Sequence, residues 1–152
     1  MKNQFNIRQF AVLNLIAIAL VLMASCEKEI TDETDITKSA WRVQFIEVDN
    51  SKTNTPDKDA HGNQIKSTAY ILDFSNDSIC SMSFSINQGG GKYYIESVGV
   101  IDIIINTMTE ICCDSDFDTK LSQLFSEMRE YKVINNTLIL EGNNKIIQLK
   151  KE

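Results

Sequence analysis

The sequence is poor in the residues that build common catalytic and metal centres, with one His, one Pro and one Trp among 152 residues. It contains no Gly-x-Ser-x-Gly motif, phosphate-binding loop, zinc-binding helix or dinucleotide-binding fingerprint. Positive charge is also scarce, since 15 Lys and Arg face 21 Asp and Glu and give a net charge of −6. This balance disfavours a nucleic-acid partner, because such binding depends on counterion release by basic side chains. A hydrophobic fraction of 43% nevertheless excludes a disordered chain and predicts one folded domain.

The amino terminus consists of a basic segment, an apolar run and small residues before a Cys. Lys2 and Arg8 precede an apolar run over residues 10–23, and Ala24-Ser25-Cys26 follows. The run is shorter than the roughly 20 residues that span a bilayer. This order resembles the signal peptide of bacterial lipoproteins, in which small residues before the Cys suit a narrow peptidase pocket and the thiol is the acceptor for diacylglycerol. We expect cleavage of residues 1–25 and lipidation of Cys26, with an ordinary secretory signal as the alternative.

Residues 26–39 are interpreted as the lipidated Cys and an acidic tether. Residues 27–38 hold five acids and two bases without a convincing apolar period. As a flexible coil this segment would span about 20 Å. The acidic cluster directly behind Cys26 also resembles the signal that sends some Gram-negative lipoproteins to the outer face of the outer membrane. We therefore expect an outer-membrane lipoprotein, on either the periplasmic or the surface-exposed face.

After the tether, the apolar residues recur mostly with period two, which is typical of half-buried strands. Residues 41–45 alternate, and the apolar positions then shift to Ile46 and Val48, which predicts a β-bulge. Residues 70–74 form a second alternating segment. The cleanest alternation runs from Cys80 to Ile86, with serines between the apolar residues. This strand should bury its apolar face and leave the serines in water or against a ligand.

Turn and helix signals complete the predicted order of elements. The glycines at 89–91 are predicted to turn the chain into a hairpin, and residues 117–128 carry apolar side chains at helical spacing. Ser115-x-x-Asp118 has the form of a capping box at the start of that helix. Asn135-Asn136 suits a tight turn in a closing three-stranded meander. The pattern predicts a mainly β fold: a curled antiparallel sheet or small barrel of about eight strands, with one amphipathic helix.

Short motifs follow one another between Tyr70 and Lys150: the strand and glycines at 84–93, Thr107-Met-Thr109, Cys112-Cys113, the helix, and the hairpin at 131–140. In this order they resemble the META-domain proteins, HslJ-like bacterial envelope lipoproteins with a lipocalin-like half-barrel. Trp41 matches the opening Trp of that family. The resemblance implies a lipocalin-like domain over residues 40–152 and a link with envelope stress tolerance, without a catalytic residue to carry over.

Three cysteines remain once Cys26 is lipidated, namely Cys80, Cys112 and Cys113. In an oxidising compartment we expect one disulfide, joining Cys80 to either Cys112 or Cys113, and one free thiol. Redox or metal chemistry at the vicinal pair is the alternative. A Cys-x-x-Cys motif is missing and the chain has a single His, so we expect no metal and no cofactor.

Three short polar motifs are weaker indications of a functional site. Residues 57–62 resemble the start of a calcium loop, but Thr68 stands where the site needs a bidentate Glu, which leaves a polar loop over residues 49–68. His61 has no recognisable nucleophile or carboxylate partner, so it is not assigned a catalytic role. Asp77-Ser78-Ile79 resembles the O-glycosylation acceptor of some Gram-negative lineages.

Together these features predict a lipid-anchored, non-enzymatic bacterial envelope protein. We expect its small β domain to bind a protein partner or an apolar ligand, or to support envelope stress tolerance. The membrane is contacted through the amino-terminal lipid, and no residue is assigned to catalysis or metal binding. The alternative is a peptidase inhibitor that presents the loop at residues 49–68 to a protease cleft.

Overall fold

The computed structural model describes residues 35–109 and 114–152. Cys26, Cys112 and Cys113 lie outside these residues, as does the signal peptide, and the predictions for them stay predictions. The described elements are a 3₁₀ turn at Ile36–Lys38, nine strands and one α-helix. They are β1 (Ala40–Val48), β2 (Ser51–Asn54), β3 (Ile71–Asn76), β4 (Ile79–Ser83), β5 (Gln88–Ser97), β6 (Val100–Met108), α1 (Asp116–Phe125), β7 (Glu130–Ile134), β8 (Thr137–Gly142) and β9 (Lys145–Lys151). Among the described helices, none has the length and apolar character needed to cross a membrane.

All nine strands belong to one curled antiparallel sheet. The strand order is β2-β1-β3-β4-β5-β6-β7-β8-β9, and β9 also pairs with β1. The predicted curled antiparallel sheet with one amphipathic helix is therefore confirmed. The count is nine strands where about eight were expected, because the start of the polar loop pairs with β1 as the short, fully exposed strand β2.

The predicted bulge in β1 is present where the apolar positions change face. The register between β1 and β9 shifts between Val43 and Phe45. Trp41 and Val43 are buried before the shift and Ile46 after it. Phe45 is turned away from the core, with the Lys52 ammonium 3.7 Å from its ring centroid. The extra residue thus keeps both halves of a long strand packed on the same core.

The interior of the curled sheet is filled by a single cluster of buried apolar side chains. Trp41 and Leu138 are fully buried in the sheet, and Leu121 and Phe125 of α1 join the same cluster. Ile36 also belongs to it, with 1% of its surface exposed. The interpretation of residues 27–38 as a solvated tether is therefore wrong at its end, because the packed domain already includes this residue.

The glycines at 89–91 do not turn the chain, which corrects the predicted hairpin turn. They lie in β5, and the turn falls earlier, where the Phe84 amide donates to the Asn87 carbonyl at 2.8 Å. A Cβ on Gly91 would overlap the Ile104 carbonyl, and one on Gly89 would lie 3.2 Å from the Phe84 ring. These glycines allow β5 to approach its neighbours closely, which no larger residue does without displacement.

The helix α1 begins with the predicted capping box. The Asp118 amide donates to the Ser115 hydroxyl at 3.1 Å, and the Ser115 amide donates to the Asp118 carboxylate at 3.1 Å. The helix ends at Phe125, earlier than the apolar spacing out to Met128 predicted. Met128 is still buried, because the turn after the helix returns it to the core.

The two ends of the sheet carry different elements. At one end the chain enters through Asp35 and the 3₁₀ turn, the Phe74 amide donates to the Ser39 carbonyl at 3.2 Å, and the Glu152 amide donates to the Ala40 carbonyl at 3.0 Å. The β3–β4 turn lies at this entry end. The opposite end holds the start of α1, the β4–β5 turn and the loop that returns to Tyr70. A concave surface lies at this loop-rich end.

Candidate functional site

A groove opens at the loop-rich end, between the loop at residues 57–69 and the β4–β5 turn at residues 84–88. Its volume is about 580 Å³. Ile65, Ala69, Phe84 and Ile86 supply apolar surface. Most of the other lining residues carry amide, hydroxyl or charged groups, among them Asp59, His61, Asn63, Gln64, Lys66, Ser83, Ser85 and Gln88. The groove can therefore offer both donors and acceptors to a polar ligand.

The outer wall of the groove is a loop held rigid by Asp59. One oxygen of its carboxylate accepts the His61 and Asn63 amides, both at 2.9 Å, and the other accepts the Asn63 side-chain amide at 3.2 Å. Desolvation acts to raise the pKa of Asp59, but these hydrogen bonds outweigh it and lower the pKa below its ordinary value. The carboxylate that resembled a calcium ligand is therefore occupied by its own loop.

The inner wall is fixed by a buried carboxylate. Asp118 is 2% exposed, and it accepts the Ser85 amide at 3.3 Å, the Ser85 hydroxyl and the Ser115 amide. Three hydrogen-bond donors and the amino-terminal end of α1 stabilise the buried carboxylate and offset the cost of removing it from water. Ser85, which lines the groove, is thereby tied to the start of the helix.

Tyr70 lies behind this wall in a strained backbone conformation. Its φ is +57°, in the left-handed region that bulky residues rarely adopt, and its ring makes an edge contact with Phe117 at 5.3 Å between centroids. Burial, followed by the nearby Asp118 carboxylate, raises the pKa of Tyr70. Its hydroxyl makes no hydrogen bond of normal geometry to any described residue. Strain of this kind persists only where the surrounding structure over-determines it.

Asn87 joins the β4–β5 turn to the segments on either side of residues 110–113. Its side-chain amide donates to the Asp114 carboxylate at 2.6 Å, and its side-chain oxygen accepts the Thr109 hydroxyl at 3.0 Å. The Gln88 amide donates to the same hydroxyl at 2.9 Å. Asn87 itself is 2% exposed. The turn is therefore anchored from two directions and gives the groove a firm edge.

Of the residues predicted to carry the lipid or form a disulfide, Cys80 is the one that lies within the described ranges, and it does not line the groove. Cys80 points into the core from β4, is 1% exposed, and is a free thiol in the structure. Burial raises its pKa to about 11. The expected disulfide thus gains no support at Cys80, and its partners Cys112 and Cys113 lie outside the described residues. Within residues 35–109 and 114–152, no group of three or more His, Cys, Asp or Glu side chains could hold a metal ion.

Sequence reasoning missed the residues that build the groove wall, although two signals pointed to them. The capping box identified Asp118 as a helix residue, and the alternation of serines from Cys80 to Ile86 identified Ser85 as non-core. Neither signal reveals their contact, because the two residues are 33 positions apart. No local pattern singles out Tyr70 as strained or Asn87 as a buried link.

Comparisons with known proteins identify a solved structure of similar fold but no matching family. No family model matches the sequence, and no curated protein is similar to it at a significant level. The fold is similar to the crystal structure of a DUF4847 family protein from Bacteroides vulgatus, with a TM-score of 0.55 and 13% identity. The match covers 78% of this chain and 95% of that one. At this identity the likeness concerns the fold alone, and the resemblance to META-domain proteins stays a prediction.

Proposed function

We propose that this chain is a lipid-anchored, non-enzymatic envelope protein that binds a polar segment of a partner protein in the groove. The observation that carries the proposal is the position of a firmly walled groove at the end of the domain opposite Asp35. Residues 27–34 lead from the lipidation motif to Asp35. An anchor at Cys26 would therefore join the domain through Asp35, which does not line the groove.

The lining of the groove favours a polypeptide over an apolar small molecule. Sites for apolar ligands are concave and mostly lined by hydrophobic side chains. This groove instead mixes Phe84 and Ile86 with several amides and hydroxyls, as non-obligate protein interfaces do. The apolar interior that could serve as a lipocalin-type cavity is occupied by the packed core cluster.

A binding role also agrees with how the polar groups beside the groove are used. The Asp118 carboxylate accepts hydrogen bonds from groups of its own fold, and the Ser85 hydroxyl donates to it. His61 lies on the exposed outer loop. The hydrogen bonds of Ser85 to Asp118 hold the inner wall in place, which reduces the ordering cost that a partner has to overcome on binding.

Peptidase inhibition is the second candidate, because the loop braced by Asp59 is pre-organised as an inhibitory loop must be. The tip from Lys58 to Gln64 is short of apolar side chains that would fill a protease pocket. An inhibitor would bind a peptidase through this tip. A groove-binding protein would engage its partner through the β4–β5 turn as well.

The proposal is tested by comparing two arginine substitutions in β4. Ser83 lines the groove, whereas Ser81 lies two residues earlier on the same strand, is exposed, and does not line it. Full-length protein and both variants are isolated from their native membranes, and co-purifying proteins are quantified by mass spectrometry. We expect a protein retained by wild type and Ser81→Arg to be depleted with Ser83→Arg. Equal recovery from wild type and both variants would overturn groove binding. Recovery of a peptidase that is lost only after substitutions between Lys58 and Gln64 would favour inhibition.

A further inference from the structure

The β3–β4 turn presents the tripeptide Asp77-Ser78-Ile79 at the surface of the entry end. All three residues are exposed. Ser78 has a φ of +61°, and its carbonyl accepts the Tyr93 amide at 3.2 Å. The backbone of the turn is therefore pinned to β5 while the Ser78 side chain is in solvent. The Ser78 hydroxyl is therefore accessible to an external enzyme in the folded domain.

Ile79 is an apolar residue that lies at the surface and not in the core. It begins β4, and the side chain is 53% exposed, whereas Cys80 and Met82 of the same strand are 1% exposed. It pairs across the sheet with the exposed Lys92. An apolar side chain held in water directly after an exposed serine and an acid is a recognition feature available to an external enzyme.

The other two Asp-Ser or Asp-Thr pairs of the chain lack this presentation. The Ser115 hydroxyl accepts the Asp118 amide as the cap of α1, and an acid follows it. Thr119 lies within α1, follows a buried Asp118, and precedes Lys120. Only Ser78 combines an exposed acid before it, an exposed aliphatic residue after it and a turn conformation.

We propose that Ser78 is an O-glycosylation site. Its Oγ attacks the anomeric carbon of an activated glycosyl diphosphate held by a transferase, forming the new C–O bond. The bond between that carbon and the phosphate oxygen breaks, the diphosphate leaves with the electron pair, and the hydroxyl proton passes to a base of the transferase. Because Ser78 lies at the end of the domain opposite the groove, the glycan leaves the groove open, and the modification is independent of groove binding.

The test is peptide mass spectrometry on full-length protein isolated from its native cells. Trypsin releases residues 67–92 as one peptide, since no Lys or Arg lies between Lys66 and Lys92. We expect this peptide to carry a mass excess of whole sugar residues, located on Ser78 by fragmentation. Ser78→Ala and Asp77→Asn should abolish the excess, and Ser81→Ala should retain it.

An unmodified peptide from wild-type protein, or an excess that survives in Ser78→Ala, would overturn the proposal. Thermal unfolding of the unglycosylated variants shows whether the turn still folds, because Ser78→Ala removes only an exposed hydroxyl. Co-purification of a groove partner should be unchanged in Ser78→Ala, so failure of this site and failure of groove binding are separate results.

Discussion

Ser85 gives both its backbone amide and its hydroxyl to the carboxylate of Asp118. The first residue lies in the β4–β5 turn and the second in the first turn of α1, so the groove wall and the helix cap form one unit. A substitution at the start of α1 should therefore alter the structure of the groove wall. This coupling makes Asp118 the most informative residue of the wall.

Replacing Asp118 with Ala should destabilise the domain by about 2–4 kcal/mol, because a cap is lost and buried donors of Ser85 and Ser115 are left unsatisfied. Urea-induced unfolding measures the loss. Asp116→Ala, at an exposed position of the same helical turn, should cost less than about 1 kcal/mol. Equal costs at both positions would contradict the buried hydrogen-bond network.

Gly91→Ala should be strongly destabilising, because the new Cβ would overlap the backbone carbonyl of Ile104. A clash with backbone is relieved only by moving β5 away from β6, for which we expect a cost of about 2 kcal/mol or more. Gly90→Ala is the control, since its Cβ would meet the Thr107 side-chain oxygen at 3.0 Å, and that side chain can move. A smaller effect at Gly91 than at Gly90 would contradict the close approach of β5 to the backbone of Ile104.

Cys80 should react with thiol reagents only after unfolding. Burial raises its pKa to about 11, so near pH 8 the folded protein holds this residue as a shielded, protonated thiol. Alkylation without reductant, before and after denaturation, followed by peptide mapping, checks this. Modification of Cys80 only in denatured protein is expected, whereas a disulfide to Cys112 or Cys113 would establish the bond that the sequence predicts.

Cys26→Ala should leave an uncleaved or mis-sorted precursor without lipid, because the thiol is the predicted acceptor of the anchor. Metabolic labelling with a radioactive fatty acid measures this directly. Ser25→Ala keeps a small residue before the Cys and should be labelled normally. Unchanged labelling of Cys26→Ala would end the lipoprotein hypothesis.

The features that the sequence predicted correctly depend on the spacing of residues that are close together in the chain. The shift from Val43 to Ile46 is a change of alternation within one strand, and the capping box at Ser115 spans a single helical turn. The glycines at 89–91 were misread because glycine marks both turns and close strand contacts, and only the position of Ile104 decides between them.

The sequence could not predict the burial of Ile36 or the structure of the groove wall, for a related reason. Ile36 sits alone among polar residues, so no period marks it as a core residue. The wall depends on the contact of Ser85 with Asp118, which joins two segments 33 residues apart in the chain. Short-range patterns thus predicted the elements, while the site arises from contacts between distant ones.

Site-specific photo-crosslinking in intact cells tests the central claim most directly. A photo-reactive residue is placed at Gln64 or Gln88 in the groove and, as the control, at the exposed Lys38 of the entry end. We predict one discrete crosslinked protein from both groove positions, its loss when Ser83→Arg is added, and no such product from Lys38. Identical products from groove and entry end, or none from the groove, would contradict the account.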